Sequence, residues 1–467
     1  MLTPFHCLSL SSFLATCLSA QLMAEPDIQE GYVLYSSIGS QETVLIDDAG
    51  NVQHSWTGAD SPASTAYLMK GGMLLRPCRA PDPQLVGAAL GGRIQLIDKN
   101  DTVVWDYLFS DGLNQQHHDI CPMPNGNVLL VAWEKKTALE AQSQGRLSPE
   151  DMWPTQIVEV RQTGPTTGEI VWEWHFWDHL IQDVDPSLPN FGVVADHPER
   201  VDINTANVTG GGDWIHVNGI DYHPELDQIV FSSNRLDEIF IIDHSTTSEE
   251  ARGSTGGNSG MGGDFLYRWG NVTNYDRGIP TDQILFNVHG VNWIDPGMPG
   301  EGNLILYNNG TDQGRSELIE FTPPMRPDGS YELNSDLIYD PAEGDYEWFY
   351  TSIGFFSARL SGVYRLPNGN TMASVGGSGE IREVTVDGQI AWSFQTQASL
   401  MKANRYPLDI MEDSCCEGDI DCNGLIDGAD LSLLLGFWGL AENDLDGDGI
   451  VTGADLTVIL SNWGLCN

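Results

Sequence analysis

The sequence predicts an all-β, six-bladed β-propeller followed by a small α-helical domain built on two acidic loops. Three observations carry this expectation. Strands ending in tryptophan recur six times, at Trp56, Trp105, Trp172, Trp269, Trp348 and Trp392. Hairpins fall between them: MPNGNVLLVA (123–132), ELDQIVFSS (225–233), GEGNLILYN (300–308) and LPNGNTMAS (366–374). Asn-Gly tolerates the positive φ that a type I′ turn requires at both central positions. Lastly, residues 418–439 and 443–464 align with each other without a gap. Antiparallel sheets that each carry the same tryptophan indicate radial repetition.

One unit shows the pattern most plainly. In 213–243, DWIHVNGIDYHPELDQIVFSSNRLDEIFIID, alternation predicts strands at Gly219–Tyr222, Gln228–Ser232 and Glu238–Asp243, joined by polar turns. His216 and Arg235 fall at strand ends or turns, where a rigid scaffold displays chemistry. Only five inner strands follow Trp56, so GYVLYSS (31–37) is expected to supply the sixth, beside the last blade. Such closure leaves no long sheet edge. Insertions lengthen the third and fourth units at 173–213 and 245–264, the latter Gly/Ser-rich and expected to be flexible.

Composition narrows the partners. The chain has 467 residues, 41% hydrophobic, with 51 glycines, 14 tryptophans and a formal net charge of −45. That charge excludes nucleic acid and anionic membrane surfaces as partners. Residues 1–24 read as a secretory signal: Leu8–Leu18 is apolar, no acid precedes Glu25, and Ala20 and Ala24 offer cleavage sites. Export to the periplasm, the medium or the cell surface is expected. No other run approaches the ~18 apolar residues of a membrane span. Beyond the signal stand Cys78, Cys121, Cys415, Cys416, Cys422 and Cys466, an even number that allows disulfides in an exported protein. The late cluster suggests a staple across the C-terminal module.

HHDICPMPNGNVLLVAWE (117–134), DWIHVNGIDY (213–222), FNVHGVNW (286–293) and RLPNGNTMASVGGSGEIREVTVDGQIAW (365–392) resemble the arylsulfotransferase family, over roughly residues 30–400. The resemblance implies a six-bladed propeller and PAPS-independent transfer of a sulfuryl group from a phenolic sulfate ester to a phenol, through a sulfohistidine and without an organic cofactor. His216 in WIHVN and His289 in NVHGVNW match family active-site histidines, and Arg315, after LILYNNGTDQG, stands where the family places its sulfate-binding arginine. The family's nucleophilic histidine follows a Gly-Gly-Ser; here Gly376-Gly377-Ser378 runs into Gly379 and Glu380. His117 and His118 lead an inner strand at the equivalent place in their blade and are the substitute candidates.

The residue types suit the reaction. Sulfuryl transfer needs cationic donors on the sulfate oxygens, a nucleophile or base in line with sulfur, and a proton for the leaving phenolate. Histidine serves the last two near neutral pH, and arginine grips an oxyanion with a fixed fork. Two alternatives use the same pocket: a non-catalytic propeller that binds a ligand or protein, and a sulfate ester hydrolase with water as acceptor. Among the other histidines, His175, His179 and His197, near Asp178, Asp183, Asp185 and Asp196, are expected to form rim structure ahead of a metal site, since their spacing is not that of zinc ligands. His223 is expected in an exposed turn and His54 on a surface strand.

The tryptophan rhythm stops past Phe394, and 401–417 reads as a linker to a module at 418–467. Its first loop offers Asp419, Asp421, Asn423, Asp427 and Asp430; its second offers Asp444, Asp446, Asp448, Thr452 and Asp455. Oxygen ligands at positions 1, 3, 5, 9 and 12 with glycine at 6 (Gly424, Gly449) follow the EF-hand calcium scheme, with Asp in place of Glu at the end and no entering helix. A duplicated loop followed by an apolar helix resembles a dockerin-type module. The resemblance implies docking to a cohesin-like or cell-surface protein, and the clustered carboxylates imply that calcium is needed to fold it.

Overall fold

The computed structural model describes residues 27–58, 61–63, 65–205, 212–412, 416–420, 425–441 and 443–465. The expected signal at 1–24, the loop ligands Asp421 and Asn423, and Cys415, Cys422 and Cys466 of the expected staple lie outside the described residues.

Six four-stranded antiparallel sheets form the propeller. Blade two runs from the axis outward as Tyr67–Met69, Met73–Arg79, Gly92–Ile97 and Val103–Leu108, and blade three as Asn114–Pro122, Val128–Glu134, Thr155–Gly164 and Thr167–His175. Blade four is Val217–His223, Gln228–Ser233, Glu238–Asp243 and Tyr267–Trp269, so the meander expected from Asp213 supplies its first three strands. Blade five is His289–Trp293, Leu304–Asn308, Glu317–Phe321 and Trp348–Tyr350; blade six is Gly362–Arg365, Thr371–Val375, Glu380–Val384 and Ile390–Gln395.

The ring closes differently from the sequence expectation. Tyr32–Ser37 is the second strand of blade one, not a strand beside the last blade, and pairs with Glu42–Ile46 on one side and Leu400–Tyr406 on the other. Leu400–Tyr406, most of it expected to begin the linker, is therefore the innermost strand of blade one. This strand carries no tryptophan and holds Lys402 and Arg405, which in isolation read as a solvated stretch. Both are buried. Lys402 reaches Asp119 of blade three at 2.5 Å, and Asp119 also accepts the Tyr67 hydroxyl (2.8 Å) and the Ile220 amide (3.3 Å). One carboxylate thus ties the inner strands of blades one to four. Burial pulls the Lys402 ammonium down, but Asp119 outweighs it and holds the group above its ordinary value.

The six tryptophans occupy the outermost strand of each sheet, and each indole N–H donates to the following blade. Trp56 donates to the Asp98 carbonyl (3.1 Å), Trp105 to that of Thr167 (3.1 Å) and Trp172 to the Thr246 hydroxyl (3.2 Å). Trp269 donates to the Pro341 carbonyl (2.8 Å), Trp348 to that of Val386 (2.9 Å) and Trp392 to that of Asp48 in blade one (2.8 Å). Five acceptors lie in the connection between the third and fourth strands of their blade, and Thr167 is the first residue of the fourth strand of blade three. Indole has one donor and a large apolar face, so one residue type both packs and latches neighbouring sheets. Trp348 and Trp392, half-buried, are covered by Arg365 and Arg405, each 5.1 Å from the ring centre.

Two local expectations change. His223 is buried rather than exposed: it packs edge-on against Trp293 at 5.1 Å and accepts the Leu226 amide, because blade five covers that turn. The Gly/Ser-rich insertion of blade four wraps the Asp243 carboxylate, which accepts the amides of Ser245 (2.9 Å) and Ser259 (2.8 Å).

Past the propeller, helices Gly428–Gly436 and Gly453–Ser461 follow matching capping boxes, with Asp427 and Thr452 as N-caps reciprocated by Asp430 and Asp455. Their core is Ile426, Leu434, Val451 and Ile459. No described helix is long and apolar enough to cross a membrane.

Two outcomes follow for stability. Trp56→Phe keeps most of the packing and removes the latch, so it should lower unfolding stability by about 1–3 kcal/mol in a urea titration. His244, clamped between Asp227 (2.6 Å) and Glu159 of blade three (2.9 Å), is pulled down by burial but raised by these hydrogen bonds to about 9. A raised folded value means the stabilisation is full below the ordinary histidine range and fades as pH rises through about 9. Wild type should therefore lose stability between pH 6 and 9.5 relative to His244→Gln, measured by thermal unfolding.

Candidate functional site

Histidines on or just before three inner strands reach one end of the axis through irregular backbone. Strand pairing shifts register between Gln116 and Ile120, between Val217 and Gly219, and between His289 and Asn292. Beside these bulges His118, His216 and Asn287 take left-handed backbone, with φ of 53°, 56° and 59°. Such a conformation costs a non-glycine residue about 1–3 kcal/mol, and bulges re-aim side chains at functional rims. The Asn234 amide, donating to the His216 carbonyl at 3.1 Å, pins the second of them.

His118, His216 and His289 line a common cavity of about 600 Å³ together with Arg79 and Arg359. Small aliphatic groups, among them Ala63, Ala89, Leu90 and Leu360, make up much of the wall. In a chain with 66 acidic residues, no Asp or Glu among the described residues lines this cavity. Elsewhere arginines are matched to acids, as in Arg93–Asp106, Arg161–Glu169, Arg268–Glu238 and Arg365–Glu320. Neither Arg79 nor Arg359 has such a partner among the described residues.

Each imidazole is oriented from behind. His216 Nδ1 bonds one oxygen of the Asp213 carboxylate, and the other oxygen accepts Trp133 Nε1–H at 3.0 Å. Burial pushes Asp213 up, but the His216 hydrogen bond outweighs it and holds the carboxyl below its usual range. His289 Nδ1 donates to the Asn287 carbonyl (2.9 Å) and faces Asn309 Oδ1 at 2.7 Å, while burial lowers the ring to about 4. His118 stands 4.5 Å from His216, centre to centre, with its Nδ1 2.7 Å from that of His117. Burial, with His216, His117 and His289 as like charges, keeps His118 neutral well below its ordinary value.

His117 itself does not line the cavity. It is fully buried, stacked on Trp133 at 4.2 Å, and lowered to about 3 by burial. Arg315 is also elsewhere: it is exposed and pairs with Glu317 at 3.0 Å, because the loop turns at Gly310 and Gly314 and returns it to the edge of its own blade. The Gly376–Ser378 turn brings no imidazole; Gly377 donates to Ser357 Oγ (2.9 Å), and Glu380 pairs with Arg382 (2.5 Å). Arg235 is exposed and helps lower Asp213.

The rim histidines serve structure. His179 bridges Asp264 and the Ala251 carbonyl, His175 lies beside Glu134, and His197 pairs with Glu199. Among the described residues only Asp444, Asp446 and Asp455 bring three such groups close enough to share a metal ion. The sequence reading missed Asp213, although its place three residues before His216 is a visible signal. It also missed Arg79 and Arg359, which carry no motif.

No curated protein matches the sequence. Among solved structures, a protein of unknown function from Bacteroides caccae shares 10% identity at a TM-score of 0.44, over 80% of this chain and 98% of that one. A streptogramin B lyase shares 13% at 0.36, over 79% and 80%. At these values the likeness carries no functional argument. The family model described as Arylsulfotransferase (ASST) matches residues 22–379, a span that holds all but the last three propeller strands and all three cavity histidines. With the fold and the match in agreement, this chain belongs to the arylsulfotransferase family.

Proposed function

We propose that this protein transfers a sulfuryl group, without PAPS, from a phenolic sulfate ester to a second phenol, and that His216 is the nucleophile in place of the family's late histidine. The observation that carries this is the Asp213–His216 pair on a cavity that no acid among the described residues lines. With Nδ1 held by the carboxylate, His216 offers Nε2 as its free nitrogen, and Asp213 stabilises the positive ring that forms on attack. His216 Nε2 attacks sulfur, the S–O bond to the aryl group breaks, and phenolate leaves. The incoming phenol then gives its proton to His289 Nε2, whose Nδ1–H is spent on the Asn287 carbonyl, and its oxygen takes the sulfuryl group from His216. His118, neutral and beside His216, adds a hydrogen-bonding edge to the same pocket.

A second reading concerns the C-terminal module, where Asp444, Asp446 and Asp455 converge and, among the described residues, four side chains make up the buried core. Such a core is too small to hold the carboxylates together against their repulsion, which supports calcium in both loops, with Asp419, Asp427, Asp430, Asp448 and Thr452 as further ligands. Exposed Trp438 and Trp463 support a dockerin-like role toward a cohesin-like or cell-surface protein, and the 1–24 segment supports export.

The assay is p-nitrophenyl sulfate with and without phenol. Phenol-dependent release of nitrophenolate is expected; phenol-independent release indicates hydrolysis, and none indicates a binding protein. Asp213→Asn should lower kcat by about 10²–10⁴-fold, because its Oδ1 still accepts the Trp133 indole while its NH2 forces the wrong His216 tautomer. Chelation of calcium should unfold the C-terminal helices, seen as lost helical circular dichroism that added calcium restores and that Asp455→Ala does not recover.

A further inference from the structure

The histidines and arginines of the cavity are divided by depth. His118 and His289 are 3% and 4% exposed, whereas Arg79 and Arg359 line the same space from solvent-exposed positions. They are also divided around the axis. The imidazoles come from blades three, four and five; Arg79 ends the second strand of blade two, and Arg359 precedes the first strand of blade six. Between the two arcs lie aliphatic groups such as Ala63, Ala89 and Leu360.

A sulfate monoester carries a single negative charge, and in the reaction proposed above that charge sits at the imidazoles. Two guanidiniums at the rim, with no acid beside them among the described residues of a chain of net charge −45, then have no counterpart on a simple aryl sulfate. Guanidinium is never neutral at working pH, and its planar fork fits carboxylate and sulfate oxygens in pairs. We infer that Arg79 and Arg359 form a second anion subsite at the mouth of the funnel, and that the substrates are aryl sulfates bearing another anionic group away from the reacting ester. This rests on the sulfuryl-transfer reading for the identity of the inner anion, and not for the existence of the outer subsite.

Binding of sulfonates tests it without chemistry, since a carbon–sulfur bond is not transferred. Calorimetry at fixed salt compares benzenesulfonate with 4-sulfobenzoate, which adds a carboxylate across the ring. Wild type should bind 4-sulfobenzoate about tenfold more tightly, and the Arg79→Gln/Arg359→Gln double variant should bring the two within about twofold. The single variant Arg359→Gln should fall between them, and serves if the double variant fails to fold by thermal unfolding. Equal affinities in wild type overturn the subsite, as does a preference that survives both substitutions. Equal weakening of both ligands in the variants also overturns it, since the arginines would then hold the reacting group. A preference that tracks the arginines in a protein inactive on p-nitrophenyl sulfate keeps the subsite and removes the reaction.

Discussion

A propeller has no single core; its sheets must be held to one another, and here the recurrent bond is an indole N–H handed to the next blade. Six such donations run in one direction and return to blade one through Trp392 and Asp48. Each joins the outer edge of one sheet to the outer part of its neighbour, so the outer rim is fixed while the inner strands are free to carry irregular backbone. The bulges that expose His118, His216 and His289 depend on that division. Strain at the axis is tolerable because the periphery over-determines the position of every sheet.

The electrostatics repeat the division. Acidic residues dominate the chain, yet the described wall of the funnel contains none, while buried imidazoles stay neutral because desolvation disfavours their charged form. A neutral ring with Nδ1 already committed presents a lone pair at Nε2, the state a nucleophile or base needs. With a net charge of −45 the chain as a whole repels anions, whereas the guanidiniums of Arg79 and Arg359, without an acidic partner among the described residues, attract them at the cavity.

The fold was legible where side chains repeat and illegible where they do not. Six tryptophans mark six outer strands because each makes the same bond, and Asn-Gly marks hairpins because the turn demands it. Leu400–Tyr406 escaped notice because an innermost strand is recognised by its neighbours, and its Lys402 finds its acid on blade three, far away in sequence. His216 and His289 were found by resemblance and do share a cavity, with His118 as the third ring. Arg315 failed because a loop two glycines long in its hinges can return a side chain to either face. Arg79 and Arg359 were invisible because what marks them is the lack of an acidic partner among the described residues, which only three dimensions disclose.

The way blade one is completed has a consequence for the order of synthesis. Its innermost strand, Leu400–Tyr406, leaves the ribosome after every other propeller strand, whereas its partner Tyr32–Ser37 is made first. Until residue 406 is delivered, the inner edge of Tyr32–Ser37 in blade one stays unpaired, and Asp119 waits for its ammonium partner. Closure is therefore a single late event, and a chain cut short before it would be a template for pairing with other chains.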